Sequence, residues 1–175
     1  MPIKINYSNN KSNKSSANLV LFVDQSFNIS GLKKIISNTE YSYISELLKT
    51  SDLKKNILFF DISSKKTIFL VSIKRDLKTS DVENLGAKFH VFIDYEKKND
   101  YLVNLDTINS KIENFVGYFL HGLKLKSYEF NIYKSKKDKR LISVNVIESK
   151  KNISTKNQLR FKALEEGTFF ANYIY

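Results

Sequence analysis

The sequence of 175 residues contains no cysteine, one proline, one methionine and only five glycines. The absence of cysteine excludes a disulfide scaffold, a thiolate zinc site and a cysteine nucleophile. The longest unbroken apolar runs, at residues 19–23, 57–60 and 68–71, are far shorter than the roughly 20 residues of a membrane-spanning helix. The amino terminus has no apolar signal core, so we expect a soluble, cytoplasmic protein with no membrane partner.

Apolar residues make up 42% of the chain and aromatic residues 13%, which is too rich for a disordered protein. The length fits one domain, and we place it at residues 1–150. Residues 151–175 are expected to begin a helix that links this domain to another one. The predicted helix runs from Thr155 to about Ile174, with an incompletely covered apolar stripe of Leu159, Ala163, Leu164, Phe170, Ala171 and Ile174.

Strands and helices alternate along the chain. Period-two or continuous apolar patterns predict strands at residues 3–7, 18–23, 56–62, 67–73, 101–105 and 141–147. The third and fourth are separated by a four-residue polar link, which predicts an antiparallel hairpin. The alternation favours the α/β class, with a mixed β-sheet flanked by helices.

Helix starts are predicted from capping residues. Between residues 30 and 53 two short apolar faces succeed one another, and Ser42 is the expected N-cap of the second. Capping-box spacing at Ser80 and Glu83, and again at Ser110 and Glu113, predicts the starts of two longer helices.

Motifs for catalysis are scarce. No two glycines are close enough for a phosphate-binding loop, and Gly117 and Gly122 are better explained by close helix packing than by ligand binding. His90 and His121 have no carboxylate or second histidine at metal-ligand spacing, so we interpret both as structural. Asp61 interrupts an apolar strand and is either a buried functional carboxylate or a strand-end residue that caps the turn at Ser63.

Positive charge is concentrated in one segment. Residues 124–162 contain 12 Lys and Arg residues against 3 Asp and Glu residues, a net charge of +9 out of +11 for the whole chain. Aromatic residues interleave with the cations at the start of this segment, a pattern found where bases stack and phosphates are neutralised. A solvated loop anchored by its aromatic side chains is the alternative. The possible polyanion contacts are Lys124, Lys126, Lys134, Lys136, Lys137, Lys139 and Arg140.

Two stretches of the sequence resemble the leucyl aminopeptidase (cytosol aminopeptidase) family. FLHGLKLKSYEFNIYKSKK, at residues 119–137, is similar to the family segment in which a helix ending in GLxLRxYxFxxYK leads into a basic loop, with Lys126 in place of the usual arginine. ALEEGTFFA, at residues 163–171, resembles the AxxEGxxxARDL helix that joins the N-terminal and catalytic domains. The hairpin and the helix DVENLGAKF, at residues 81–89, fit the same N-terminal domain.

The resemblance implies a macro-domain-like fold and a partner domain that these residues do not include. In the complete family enzyme, a homo-oligomer, two divalent ions (zinc or manganese) activate the water that cleaves the N-terminal peptide bond. The metal-binding motifs lie beyond the matching region, so the resemblance implies no catalytic residue, metal ligand or cofactor in this chain. The lack of glycine-rich loops argues against ADP-ribose binding.

Two hypotheses from different functional classes therefore stand. The chain is the non-catalytic N-terminal domain of a leucyl aminopeptidase, a metallopeptidase that removes N-terminal amino acids from peptides. Alternatively, it is a free-standing basic module that binds nucleic acid, with DNA as the partner.

Overall fold

A computed structural model of the protein describes residues 3–8, 18–96, 98–127 and 140–147, together with residues 159, 162 and 163. Between residues 3 and 147, the described residues form two 3₁₀ helices, at Ser30–Lys34 and Leu105–Thr107, three α-helices and six strands. The strands are β1 (Ile3–Ser8), β2 (Asn18–Asp24), β3 (Ile57–Ser63), β4 (Lys66–Ile73), β5 (Asp100–Asn104) and β6 (Ile142–Ile147). The α-helices are α1 (Asn38–Leu48), α2 (Thr79–Glu96) and α3 (Phe115–Ser127).

The six strands form one mixed sheet in the order β1-β6-β5-β2-β4-β3. Every neighbouring pair is parallel except the β3–β4 hairpin, which is antiparallel as predicted. The first six residues of β2 are buried because this strand lies inside the sheet and both of its faces are covered. Such a strand reads as a continuous apolar run rather than an alternating one. The predicted α/β class, with a mixed sheet flanked by helices, is confirmed.

Each face of the sheet has its own apolar core. One face packs against α2 and α3, and the other against α1 and the first 3₁₀ helix. Aromatic rings dominate the first core, where Phe22 meets Phe119 edge to face at 5.3 Å between centroids and Phe69 meets Phe89 in the same way at 5.3 Å. Edge-to-face pairs add about 0.5–1.5 kcal/mol beyond the burial of their surface.

Helices α2 and α3 cross in close contact at two glycines. A Cβ atom at Gly122 would overlap the backbone carbonyl oxygen of Glu83, and a Cβ at Gly86 would overlap the carbonyl oxygen of Phe119. The packing explanation of Gly122 is therefore confirmed, and Gly117 is also buried in α3.

Helix starts differ from the predictions. The N-cap of α1 is Ser37, not Ser42, and it forms a capping box with Glu40. Helix α2 begins at Thr79, and the backbone N–H of Lys78 donates to the Asp81 carboxylate at 2.8 Å. The predicted box between Ser80 and Glu83 is thus wrong, because Ser80 already lies inside the helix.

The start of α3 is also displaced from its predicted position. The helix begins at Phe115, directly after Asn114, whose φ of 59° is left-handed. The Ser110 hydroxyl instead accepts a hydrogen bond from the backbone N–H of Ile112 at 3.1 Å. Ser110 therefore caps a local turn rather than the helix.

Little of the predicted C-terminal helix lies within the described residues. Leu159, Lys162 and Ala163 are helical and exposed. The rest of that helix lies outside the described residues, and the domain boundary near residue 150 stays a prediction. Among the helices that the structure describes, none combines the length and the apolar character needed to cross a membrane.

Candidate functional site

The sheet topology leaves a crevice at the carboxyl ends of two adjacent parallel strands. After β2 the chain passes to the face covered by α1, whereas after β4 it passes to the opposite face, covered by α2. In open α/β sheets ligands bind where neighbouring connections diverge in this way. On its other side β2 is closed by the second 3₁₀ helix, where the Phe22 N–H donates to the Thr107 hydroxyl at 2.8 Å. The opening therefore lies between β2 and β4.

This crevice between β2 and β4 has a volume of about 450 Å³. Its walls come from the residue after β2, the residue before β3, the end of β4, the β4–α2 connection and the outer side of α2. The lining is mainly polar, and only Leu77 and Leu85 are apolar. The polar and charged lining residues are Gln25, Asn56, Ser72, Lys74, Arg75, Asp76, Asp81, Asn84 and Lys88.

The loop after β2 is held by the carboxylate of Asp24. This carboxylate accepts hydrogen bonds from the backbone N–H of Ser26 at 3.0 Å, the Ser26 hydroxyl at 2.7 Å and the backbone N–H of Asn28 at 3.0 Å. The Asn28 bond is the largest cause of a lowered pKa of Asp24, and the nearby Arg75 charge also lowers it. Phe27 has a left-handed φ of 55° and a buried side chain, which anchors the loop to the core.

Three cationic side chains line the crevice from two elements. Lys74 and Arg75 follow β4, Lys88 lies on α2, and all three are exposed. No ion pair engages any of them within the part of the chain that the structure describes. The Asp81 carboxylate, in contrast, accepts the Lys78 backbone N–H. The lining also includes the Asp76 carboxylate, so three cations stand against two carboxylates and the crevice carries a net charge of +1.

Of the seven predicted polyanion contacts, three lie within the described residues. Lys124 is half-buried near the end of α3, and this burial lowers its pKa. Lys126, in the same helix turn, is exposed. Arg140 forms an ion pair with Asp94 at 3.3 Å, close to the end of α2. Lys134, Lys136, Lys137 and Lys139 lie outside the described residues.

The three described contacts do not join the crevice. Helix α3 connects the end of β5 to the start of β6. Its last turn therefore lies near the amino-terminal ends of the parallel strands. Arg140 stands two residues before β6, at that same end of the strands. The crevice opens at the carboxyl-terminal ends of these strands. The sequence predicted a cationic surface, but the cationic cleft that the structure forms is made of other residues.

The two histidines occupy structural positions. His121 Nδ1 lies 2.8 Å from the Glu83 carboxylate and thereby joins α3 to α2 beside the glycine contact. His90 is buried on α2. Within the described ranges, no group of three or more histidine, aspartate or glutamate side chains is arranged so that it could hold a metal ion.

Asp61 is part of a polar cluster on the hairpin. Its carboxylate accepts a hydrogen bond from the Thr67 hydroxyl at 2.5 Å and from Lys98 Nζ at 3.1 Å. The Thr67 bond is the main cause of a lowered pKa of Asp61, and Lys98 adds to it. Asp61 is exposed and bonds across the hairpin, so neither sequence interpretation is correct. Ser63 caps the turn itself, since its hydroxyl accepts the Lys65 N–H at 3.2 Å.

One feature of the sequence points to the crevice. Lys74 and Arg75 directly follow a continuous apolar strand, and the carboxyl ends of parallel strands are where ligand-binding residues gather. Lys88 carried no comparable signal, because its convergence on the other two depends on the angle of α2 across the sheet.

Comparison with known proteins identifies the fold. No protein-family model and no curated protein matches the sequence. Among solved structures, a mutant of tomato leucine aminopeptidase superposes with a TM-score of 0.69 over 96% of this chain, at 14% identity. The chain spans 37% of that aminopeptidase, in its N-terminal region. The macrodomain of Thermus aquaticus DarG superposes with a TM-score of 0.54 over 83% of this chain and 99% of its own length, at 11% identity.

At sequence identities of 14% and 11%, these superpositions establish a shared fold and not a shared function. The chain has the macrodomain-like α/β fold, the same architecture that the N-terminal region of leucine aminopeptidase adopts.

Proposed function

We propose that this chain is the non-catalytic N-terminal domain of a leucyl aminopeptidase. The observation that carries the proposal is the superposition of 96% of the chain on a leucine aminopeptidase, of which it spans 37%. The match to the complete length of an isolated macrodomain is poorer, with a TM-score of 0.54 against 0.69. A domain of this kind contributes packing and assembly rather than bond cleavage.

The contacts between α2 and α3 support this proposal. Glu83 and Gly86 belong to the stretch DVENLGAKF, whereas His121 and Gly122 belong to FLHGLKLKSYEFNIYKSKK. Both stretches carry the sequence resemblance, and they meet in one crossing through the His121–Glu83 contact and the two glycine contacts. These residues pack two helices together, so the two stretches that carry the resemblance meet at a packing contact.

Peptide hydrolysis then belongs to another part of the enzyme. In this proposal the two divalent ions, zinc or manganese, and the groups that bind them lie in a catalytic domain outside these 175 residues. That domain and further copies of the complete enzyme are the proposed partners.

The proposal is tested on the polypeptide as the cell makes it. An antibody raised against this chain is expected to detect a polypeptide well above 20.4 kDa in an extract of the source cells. Leucine-anilide hydrolysis that a chelator abolishes should be recovered with that polypeptide. The isolated chain, supplied with manganese or zinc, should show no turnover above buffer.

Two results would refute the proposal. The first is a cellular polypeptide of 20.4 kDa that recovers no leucine-anilide activity. The second is chelator-sensitive turnover by the isolated chain itself.

Nucleic-acid binding is a second candidate function, favoured by the net charge of +9 in residues 124–162. If these residues neutralise phosphates, affinity for duplex DNA falls steeply with salt because counterions are released. Replacing Lys134, Lys136, Lys137 and Lys139 with Gln should flatten that dependence. The matched control replaces four exposed lysines elsewhere with Gln, and it should keep the salt slope: Lys4, Lys34, Lys65 and Lys111. Absence of gel retardation at low salt would refute this function.

A further inference from the structure

We infer that the crevice between β2 and β4 binds a small, hydrophilic molecule through a phosphate group. This inference concerns a site that neither the aminopeptidase proposal nor the nucleic-acid proposal uses. It rests on the charge, the polarity and the size of the crevice.

The charge of the crevice fits an oxyanion. Lys74, Arg75 and Lys88 line it and have no ion-pair partner within the described residues. Cations that share one concave surface repel one another, and the field inside a cleft concentrates an anion there. Arg75 offers a planar fork for two phosphate oxygens, while the lysines act as point charges.

The carboxylates of the lining offset part of this charge but not all of it. Asp81 accepts the Lys78 backbone N–H and keeps its negative charge. The three cations would hold the anion. Asp76 is the other carboxylate of the lining. Three cations against these two carboxylates leave a net charge of +1 on the lining, which attracts an anion.

The remaining lining selects a hydrophilic ligand of limited size. The side chains of Gln25, Asn56 and Asn84 supply amide donors and acceptors, which suit hydroxyl groups rather than an apolar body. A volume of about 450 Å³ falls in the range of small-molecule sites, roughly 300–1,000 Å³.

The walls of the crevice are held in place before any ligand arrives. Asp24 fixes the loop after β2 through three hydrogen bonds. The backbone N–H of Ser72 donates to the Asn56 carbonyl at 2.8 Å, which ties the end of β4 to the residue that precedes β3. Pre-formed walls reduce the entropy lost on binding.

Inorganic phosphate is the probe for this inference. Backbone amide shifts of the isotopically labelled protein are followed while phosphate is titrated at constant ionic strength against chloride. We expect saturable shifts at Gln25, at residues 72–78 and at Lys88, with a Kd of about 10⁻³ M. A protein that shows no saturation, or whose shifts spread over all its lysines, would overturn the inference.

Matched variants separate a phosphate site from general positive charge. Replacing Lys74, Arg75 and Lys88 with Gln should weaken phosphate binding by about tenfold or more, because three charge-assisted contacts are lost. The control replaces Lys4, Lys65 and Lys126 with Gln. These lysines are exposed and lie near the amino-terminal ends of the parallel strands, away from the crevice. It removes the same charge and should change the Kd by less than about twofold.

An equal loss in both triple variants would overturn the inference. All six side chains are exposed, so both variants should fold, and their thermal melting curves should match that of the wild type. The Lys88→Gln variant alone provides a milder check, with an expected loss of about threefold. Failure of these tests would leave the aminopeptidase proposal unaffected, because that proposal concerns a different surface and a different assay.

Discussion

Replacing Gly122 with alanine should destabilise the protein strongly, although alanine is the better helix former. In a solvent-exposed helix, replacing glycine with alanine raises the free energy of unfolding by about 1 kcal/mol. At Gly122 the new Cβ would lie 2.6 Å from the carbonyl carbon of Glu83 and 2.7 Å from its Cα, and it would overlap the carbonyl oxygen. These are backbone atoms of α2 and cannot rotate away, so the two helices must separate.

The magnitude follows from the packing around that contact. A gap of about 0.5–1 Å already removes a quarter to a half of the dispersion attraction across an interface. The α2–α3 interface includes Phe89 and Phe119, whose ring centroids are 5.8 Å apart, and both side chains are fully buried. Overpacking of this kind costs about 1–3 kcal/mol, and we expect a net loss near the upper end of that range.

Urea unfolding followed by circular dichroism measures this loss. Gly31→Ala is the matched control, because a Cβ at Gly31 would have nothing within 4 Å. Its free energy of unfolding should stay within about 0.5 kcal/mol of the wild type. Gly86→Ala should behave like Gly122→Ala, since its Cβ would overlap the Phe119 carbonyl oxygen. A Gly122→Ala protein as stable as the wild type would refute the close helix contact.

The strands were predictable because their physical signal is local. In β6 the buried residues Ile142, Val144 and Val146 alternate with half-buried residues. This is the period-two pattern that the sequence predicts for a strand. β2 was predictable for the opposite reason, as an apolar run buried on both faces. The order of the strands was not predictable, since it depends on contacts between residues far apart in the sequence.

Helix starts were less predictable than helices. Ser37–Glu40 and Ser110–Glu113 share the same capping-box spacing, yet only the first forms the box. The second fails because Asn114 adopts a left-handed φ of 59°, which delays the helix until Phe115. Spacing shows that a cap is possible, whereas the path of the preceding chain decides whether it forms.

Local charge density does not point to the crevice, and the polyanion contacts in residues 124–162 stay a prediction. The excess in residues 124–162 is large in sequence, but Lys124 is half-buried and Arg140 pairs with Asp94. The three cations of the crevice come from the β4–α2 connection and from α2, and they converge because of the angle at which α2 crosses the sheet. Such a convergence is a property of the topology and leaves no cluster in the sequence.

Two further predictions concern single side chains with unusual surroundings. In Thr67→Val, the pKa of Asp61 should rise toward its ordinary value, since the Thr67 hydroxyl is the main cause that lowers it. A carboxylate whose pKa is lowered in the folded state stabilises the protein above its ordinary pKa, and this stabilisation is lost as the pH falls. The variant should therefore lose less stability in acid than the wild type. Carboxyl-carbon NMR measures the pKa of Asp61, and urea unfolding at several pH values measures the stability. Tyr101→Phe should leave stability unchanged or raise it by up to about 1 kcal/mol, because the buried hydroxyl has no hydrogen-bond partner among the described residues. Burial, and then the charge of Glu96, raise the pKa of Tyr101, so its hydroxyl stays protonated and uncharged at neutral pH. Tyr101→Leu is the contrasting variant: it also removes the ring that meets Phe89 edge to face at 5.8 Å and should cost about 2 kcal/mol or more in urea unfolding. A loss above about 1 kcal/mol in Tyr101→Phe would mean that the hydroxyl has a partner and would contradict the packing described for this ring.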